Sequence, residues 1–500
     1  MSNENHPNGY LEYSRASIGY RDAEERVTDY HEIYSEQWDE SELKEQASRC
    51  MDCGVPTCTS GCPIGNIIPD WNDLVSKGQW QNALARLHAT NNFPEFTGYA
   101  CPAPCEDACT LSFNLEPVTI KDAERAIVDR GWEAGWIVPQ PPHERTGFHV
   151  AVVGSGPSGL ACAQQLNRAG HHVTVYERDD APGGLVRYGI PDFKFEKDKL
   201  ERRIAQLTAE GIAFRCSTGL GADVSLEQLR HDHDAVGLTI GALHPRDVEV
   251  PGRELGGVHF AMRYLTRENR RQVGRDHEDG PDAQGRNVIV LGGGDTGADC
   301  VATALRQGAT SVTQVQINDK PPATRPADNP WPLTARIHKT NYAQKEGAIA
   351  EFSLDAIAFE DTDGNGHVDH MKVERVDWIR DDNGRRIDKH VKESDLELPA
   401  ELVLIAIGFS RPETEPLNAS GLELADNGTF KTDADMRTNL PDVFAGGDCN
   451  TGHSLLVWAI GEGRDLARMM DMQLMGQSRL PPSLRTRHKP LSLGGWEKAG

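Results

Sequence analysis

The sequence predicts an α/β protein: two parallel, doubly wound sheets, the second inserted within the first, preceded by an α-helical domain rich in cysteine. Three observations predict it. A glycine-rich turn between an apolar strand and a helix occurs twice, at Gly154-x-Gly156-x-x-Gly159 and at Gly292-x-Gly294-x-x-Gly297. After the second of these, another apolar strand, Leu402 to Gly408, returns the chain to the first sheet. Of the eleven cysteines, seven fall between Cys50 and Cys109.

In chain order, residues 1 to about 40 are polar and acidic and read as an extended or loosely packed arm. A helix is expected from Ser41, which would cap it. The run Cys50-x2-Cys53-x4-Cys58-x3-Cys62-Pro63 follows, then Cys101, Cys105 and Cys109, each four apart. In a reducing compartment such a cluster points to metal rather than to disulfides. Short spacings let several thiolates converge on one inorganic cluster, and the closing Cys-Pro is a ferredoxin-like feature. Two four-iron clusters, at four ligands each, need one more ligand than these seven cysteines supply. Glu124, on an expected helix, is the candidate. Structural zinc usually shows two paired Cys-x2-Cys knuckles. Only one pair occurs in this stretch, so iron–sulfur is favoured, with a single cluster or zinc as alternatives. Pro69 to Thr90 has helical periodicity with core-type Trp71, Leu74, Trp80, Leu84 and Leu87. A proline-rich linker, Val138 to Pro142, ends this domain.

Val150 to Val153 then reads as a buried parallel strand, followed by the first glycine turn, a helix from Leu160 to Arg168, and a strand Val173 to Tyr176 ending on Glu177. The three glycines serve a tight turn, backbone approach to a pyrophosphate, and close helix packing, and the acid accepts from a ribose hydroxyl. The helix N-terminus faces the phosphates. The dinucleotide-binding, Rossmann-like reading therefore rests on the whole strand–turn–helix–strand–acid series, with Gly154, Gly156, Pro157, Gly159 and Glu177 as candidates for the flavin. Paired glycines at Gly183 and Gly184 permit backbone to pass close to a flat ligand. Gly184, Leu185 and Arg187 join the candidate list. Lys197 to Gly211 reads as an amphipathic helix, and Ala235 to Ala242 as a strand leaving this domain.

The second copy runs from Asn287 to Leu291, through its turn, to a strand Val312 to Ile317. Gly292, Gly294, Asp295, Thr296 and Gly297 are its candidate nucleotide residues. Two such folds suggest two nucleotides, commonly a flavin and a nicotinamide. The position matching Glu177 falls at Val315 or Gln316, neither acidic, which disfavours NAD and suits a 2′-phosphate. Lys320, Arg325 and Arg306 could pair with that phosphate. Solvated surface bases are the competing reading, and Asp319 counts against the pairing. Pro321 to Pro332 reads as a rigid, irregular loop flanking the nicotinamide site or simply connecting elements. Asp361 to Gly366 and Asp381 to Gly384 read as charged turns without calcium-loop spacing. Finally, Gly446-Gly447-Asp448 ends a short strand, where Gly447 and Asp448 can meet a flavin ribityl hydroxyl, and a helix begins at Leu455.

The net charge of −24 argues against nucleic acid and anionic membranes as partners. No apolar run is long enough to span a bilayer, and the polar start is unlike a secretory signal, so a cytoplasmic protein is expected.

The motifs CMDCGVPTCTSGCP, VAVVGSGPSGLA, APGGLVRYGIPDFK, VIVLGGGDTGADC, DNPWP and VFAGGDCNTGHSLLVWAIGEGR resemble those of the small (β) subunits of bacterial NADPH-dependent glutamate synthases. Dihydropyrimidine dehydrogenase's electron-input half is similar. The resemblance implies FAD, NADPH and two 4Fe-4S clusters, with hydride passing from NADPH to FAD. Electrons then move singly through the clusters to a large (α) subunit that makes glutamate from glutamine and 2-oxoglutarate, so a hetero-oligomer is implied. Cys50, Cys53, Cys58 and Cys109 would hold one cluster, and Cys62, Cys101, Cys105 and Glu124 the other. The implied divisions are a helical iron–sulfur domain over 1–145, FAD domain parts over 146–242 and 409–500, and an NADPH domain over 243–408. Hydride transfer needs no general acid or base, so no catalytic residue of that kind is expected. A subunit feeding a pyrimidine reductase, a hydrogenase or a ferredoxin is the alternative.

Overall fold

The structure, a computed structural model, describes residues 8–35, 39–275, 280–381, 386–417 and 420–483. The first sheet is parallel, in the spatial order Val443–Ala445, Ala235–Leu238, His149–Val153, His172–Tyr176, Ala213–Arg215. Its central strands are apolar along nearly their whole length because helices cover both faces. One face carries the helix Pro157–Arg168, against which the long helix Leu456–Met475 packs. The approach is close: a Cβ on Gly463 would stand 2.1 Å from the Ser158 carbonyl oxygen. The first sheet thus gains its outer strand and a covering helix from the far end of the chain.

The second sheet is also parallel: Val258–Phe260, Leu402–Ile405, Asn287–Leu291, Ser311–Gln316, Ile349–Phe352. The chain enters and leaves this unit through a two-stranded antiparallel ribbon, His244–Pro245 against Phe409–Arg411. Between the last two sheet strands in sequence lies an antiparallel excursion of three strands, Leu354–Glu360, His370–Arg380 and Arg386–Pro399. The charged turn at Asp361 to Gly366 joins its first hairpin, whereas Asp381 to Gly384 falls almost wholly outside the described residues.

The cysteine-rich domain is helical. Its first long helix, Glu40–Ser48, is capped by Asp39 rather than Ser41. Asp39 accepts from the Glu42 amide at 2.9 Å and Glu42 accepts from the Asp39 amide at 3.1 Å, a reciprocal capping box. The helices Ile68–Ser76 and Trp80–Thr90 bury Trp71, Trp80, Leu84 and Leu87.

Residues 8–35 differ from the loosely packed arm expected. Ile18 and Ile33 are buried, the Ile18 amide donates to Asp122 at 2.9 Å, and the Ile33 amide donates to the Phe193 carbonyl at 2.8 Å. Arg26 reaches Glu346 at 2.6 Å. The segment is therefore a strap across three units, anchored by the buried pair Arg26–Glu346 while most of its other charges stay exposed or half-buried. Among the described residues no helix is long and apolar enough to cross a membrane.

Candidate functional site

The two glycine turns have matching geometry. A Cβ on Gly159 would lie 1.9 Å from the Gly154 carbonyl oxygen, and one on Gly297 2.4 Å from that of Gly292, so helix-on-turn packing excludes any side chain. At the middle glycines, Gly156 and Gly294, nothing stands within 4 Å, which leaves backbone open to a phosphate. The helices Pro157–Arg168 and Asp295–Arg306 start at these turns and aim their N-termini there. The surroundings differ. Ser155 is buried in the first turn, while Gly293, Gly294 and Asp295 are exposed in the second. An enclosed turn suits a resident nucleotide and an open one suits a nucleotide that exchanges.

Strand register resolves the acid position. Val153 pairs with Tyr176 and Leu291 with Val315, so Glu177 and Gln316 are equivalent. Glu177 is 5% exposed and accepts from the Ser155 amide at 3.0 Å and the Asp179 amide at 2.9 Å. The Ser155 hydroxyl bonds the same carboxylate. Gln316 packs over the second turn, where a Cβ on Gly293 would meet its Oε1 at 2.1 Å. Removing the carboxylate by Glu177→Ala is expected to weaken FAD binding by about 2 kcal/mol, the scale of a charged hydrogen bond. Flavin retention through gel filtration measures this.

The return segment closes the first site. Gly447, at φ +74°, sits so near the first helix that a Cβ would meet Ser158 Oγ at 2.7 Å. Its amide donates to Glu462 at 2.9 Å, and Ser454 donates to Asp448 at 2.7 Å. Gly184 touches the first turn, with 2.8 Å between a Cβ there and the Gly156 Cα. Leu185 begins the short helix Leu185–Tyr188, which also carries Arg187. Ser158 Oγ and Arg187 Nη2 are buried with no hydrogen-bond partner. Both atoms belong to residues touching these glycines, and orphaned buried polar atoms fit a polar ligand such as FAD. Ser155 and Ser158 fill the variable positions of the first glycine motif and Glu462 lies in the closing motif, and their contacts bring them into the site.

The three bases proposed for a 2′-phosphate separate. Arg306 is a correction: its side chain is sealed from solvent, pairs with Glu346 at 2.6 Å and donates to the Asp29 carbonyl at 3.0 Å. It braces the strap instead of facing a ligand. Arg325 donates to the carbonyls of Leu333 at 2.7 Å and Asn329 at 3.3 Å, which staples its own loop. Lys320 is exposed and lines an open cavity of about 280 Å³ with Arg375 and Lys392. Asp319 accepts from Ser353 at 2.8 Å.

The seven early cysteines and Glu124 converge on two adjacent cavities. Cys62, Cys101, Cys105 and Glu124 line one, Cys50, Cys53, Cys58 and Cys109 the other, and Ile68 and Ile120 line both. Val457, from the helix that closes the first sheet, lines the Glu124 cavity, here termed inner. The other, termed outer, lies beside the exposed residues Asp52, Gly54 and Val55. Burial pushes the thiols of Cys50 and Cys101 up to about 12 and raises those of Cys58, Cys105 and Cys109. Burial also lifts the Glu124 carboxyl to about 7 against hydrogen bonds from Thr97, Asn91 and Asn66. Ionised thiolates in such cavities require a buried countercharge, and four thiols in one cavity with three thiols and a carboxylate in the other fit iron–sulfur clusters. All three hydrogen bonds, of 2.8, 2.9 and 3.4 Å, fall on Glu124 Oε1. They orient the side chain through Oε1, so that Oε2 would be the donor atom to a metal.

Two interlocked nucleotide-binding sheets joined to paired four-donor cavities define a nicotinamide-nucleotide-dependent oxidoreductase with an iron–sulfur module. The protein-family model described as dihydropyrimidine dehydrogenase domain II, 4Fe-4S cluster, matches residues 26–136. That for pyridine nucleotide-disulphide oxidoreductases matches residues 148–339 and 359–463. The glutamate synthase (NADPH) small chain of Mycobacterium tuberculosis is 48% identical, covering 97% of this chain and 99% of its own. That of Bacillus subtilis is 46% identical over 95% and 99%. The chain belongs to the family of glutamate synthase (NADPH) small chains, and it is an NADPH-dependent oxidoreductase. The fold is also that of Mycobacterium tuberculosis FprA in complex with NADPH, at TM-score 0.52 and 21% identity over 67% of this chain and 85% of FprA. The glutamate synthase (NADH) of Schizosaccharomyces pombe is 45% identical over 95% of this chain, which corresponds to 23% of that much longer protein.

Proposed function

We propose that this chain is the electron-input subunit of a glutamate synthase, delivering electrons from NADPH to a large subunit that forms glutamate from glutamine and 2-oxoglutarate. The observation that carries the reading is the pair of four-donor cavities that share Ile68 and Ile120 as lining residues, with the inner one against Val457 of the flavin-side helix. That arrangement supports a path from the first nucleotide site through the inner cavity to the outer one and on to a partner. When bound, FAD takes two electrons from NADPH and releases them singly to iron–sulfur clusters.

The chain's own residues supply geometry. Gly154, Gly156, Pro157, Gly159, Glu177, Gly184, Leu185, Arg187, Gly447 and Asp448 would hold FAD. Gly292, Gly294, Asp295, Thr296 and Gly297 would hold NADPH, with Lys320 beside the 2′-phosphate. Cys62, Cys101, Cys105 and Glu124 would hold the inner cluster, and Cys50, Cys53, Cys58 and Cys109 the outer. No residue acts as a general acid or base. The limits proposed for the units are 1–145, 146–242 with 409–500, and 243–408. The ribbon His244–Pro245 with Phe409–Arg411 supports the latter two divisions. A cytoplasmic location accords with this role.

Anaerobic purification should yield about eight irons, from two four-iron clusters, and one FAD per chain. NADPH should reduce an artificial dye with the chain alone. NADPH oxidation dependent on glutamine and 2-oxoglutarate should appear only with the large subunit, and its absence in the reconstituted pair would refute the partner. Lys320→Ala should raise the KM for NADPH by about tenfold, or roughly 1.4 kcal/mol, and leave that for NADH unchanged.

A further inference from the structure

Three outer-cavity cysteines, Cys50, Cys53 and Cys58, come from one short run, whereas Cys109 comes from a separate segment. The placement of Cys109 therefore needs its own support. Within the helical domain the Cys109 amide donates to the Glu106 carbonyl at 3.1 Å, the hydroxyls of Thr57 and Thr110 meet at 3.0 Å, and Cys109 precedes a short 3-10 turn, Thr110–Phe113. A second set of contacts comes from the nucleotide-binding domain. Trp331 Nε1 donates to the Cys109 carbonyl at 3.1 Å, an oxygen that also accepts from the Ser112 amide at 2.9 Å and hydroxyl at 2.7 Å. Its ring meets Phe113 edge-on, with centroids 5.9 Å apart. Two residues earlier, Asp107 accepts from Lys339 Nζ at 3.0 Å and from the Ala335 amide at 3.3 Å. The gripping loop is itself stiff. Arg325 binds the Leu333 carbonyl, and the buried Asn329 accepts from the Arg336 amide at 2.8 Å and donates to the Thr334 carbonyl at 3.1 Å.

We propose that Trp331 is a positioning residue for the outer cluster: a loop of the NADPH-binding domain fixes Cys109 and tunes the cluster's reduction potential through it. This rests on the reading that Cys50, Cys53, Cys58 and Cys109 hold a cluster. Groups one bond network removed from a metal ligand set its orientation and electronics, and cluster potentials respond to nearby hydrogen bonds and charge. The indole N–H directs the positive end of its dipole at the ligand's peptide. Reduction adds negative charge to the cluster, so loss of that donor destabilises the reduced form and lowers the potential.

The test is redox titration of the intact, iron-loaded protein followed by electron paramagnetic resonance, with Glu124→Ala assigning the inner cluster's signal. Trp331→Phe keeps the ring and removes the donor. The expected result is a lower midpoint and an altered signal for the outer cluster alone, with iron, FAD and the inner midpoint as in the parent. Lys339→Ala, a change on an exposed side chain, should by itself speed iron release to a chelator from the outer cluster only. Parent-like midpoints and spectra in Trp331→Phe, or equal shifts in both clusters, would overturn the proposal. The underlying reading fails separately, if Cys109→Ala leaves the iron content of the protein unchanged.

Discussion

Glu124→Ala is expected to halve the iron content of the anaerobically purified protein, from about eight to about four per chain, given four irons per cluster. The inner cavity contains three cysteines and this one carboxylate. Alanine offers no donor atom, and it also strands Thr97, Asn91 and Asn66, whose hydrogen bonds now converge on Oε1. The outer cavity lacks Glu124 and should keep its irons. NADPH should still bleach the flavin of the variant, because the nucleotide sites lie outside the cavity. Electron delivery to the large subunit should fall by orders of magnitude, since the stepping stone beside Val457 is gone. Iron analysis and stopped-flow flavin absorbance read the two effects separately. A variant with its full iron complement and normal delivery would remove Glu124 from the ligand set.

Glu346→Ala should be the most damaging single change away from the cofactor sites. Glu346 is fully buried between Arg26 of the N-terminal strap and Arg306, with contacts of 2.6 Å to each. Both guanidinium groups are nearly or wholly sealed from solvent, at 3% and 0% exposure. Removing the carboxylate leaves two buried like charges, and breaking a buried pair costs about 3–5 kcal/mol. For units of this size that corresponds to a melting point lower by on the order of 10 °C. The exposed pair Lys431–Glu423 is the control, and Glu423→Ala should leave the melting point close to that of the parent. Thermal melts followed by flavin fluorescence compare the two. A Glu346→Ala protein that melts with the parent would mean that the strap does not dock through Arg26.

Much of the site is legible from local pattern. Strand, glycine turn and helix occupy consecutive residues, so steric and phosphate-binding requirements leave their record in a short window. The same holds for cysteine as the donor type and for the deficit that pointed to Glu124. Polar residues were harder to read. Arg306 looks like a free base on the last turn of its helix, yet Glu346 and the Asp29 carbonyl claim it. The strap looks solvated because most of its charges are, and its one buried charge, Arg26, finds its partner Glu346 far along the chain. The antiparallel excursion reads as charged turns because its strands keep many side chains in water.

By itself the sequence determined which chemistry is available: two phosphate-cradling turns, an acid after one and none after the other, seven thiols and a carboxylate. Those are properties of residue type and short spacing. The partition of the thiols, with Cys62 leaving its own run and Cys109 joining it, was implied by family resemblance and not by spacing, and the tertiary structure brings those groups together and decides which cations stay free for a ligand. Both depend on how distant segments pack and on where burial makes a charge need a partner, and neither is recorded in any short stretch of the chain.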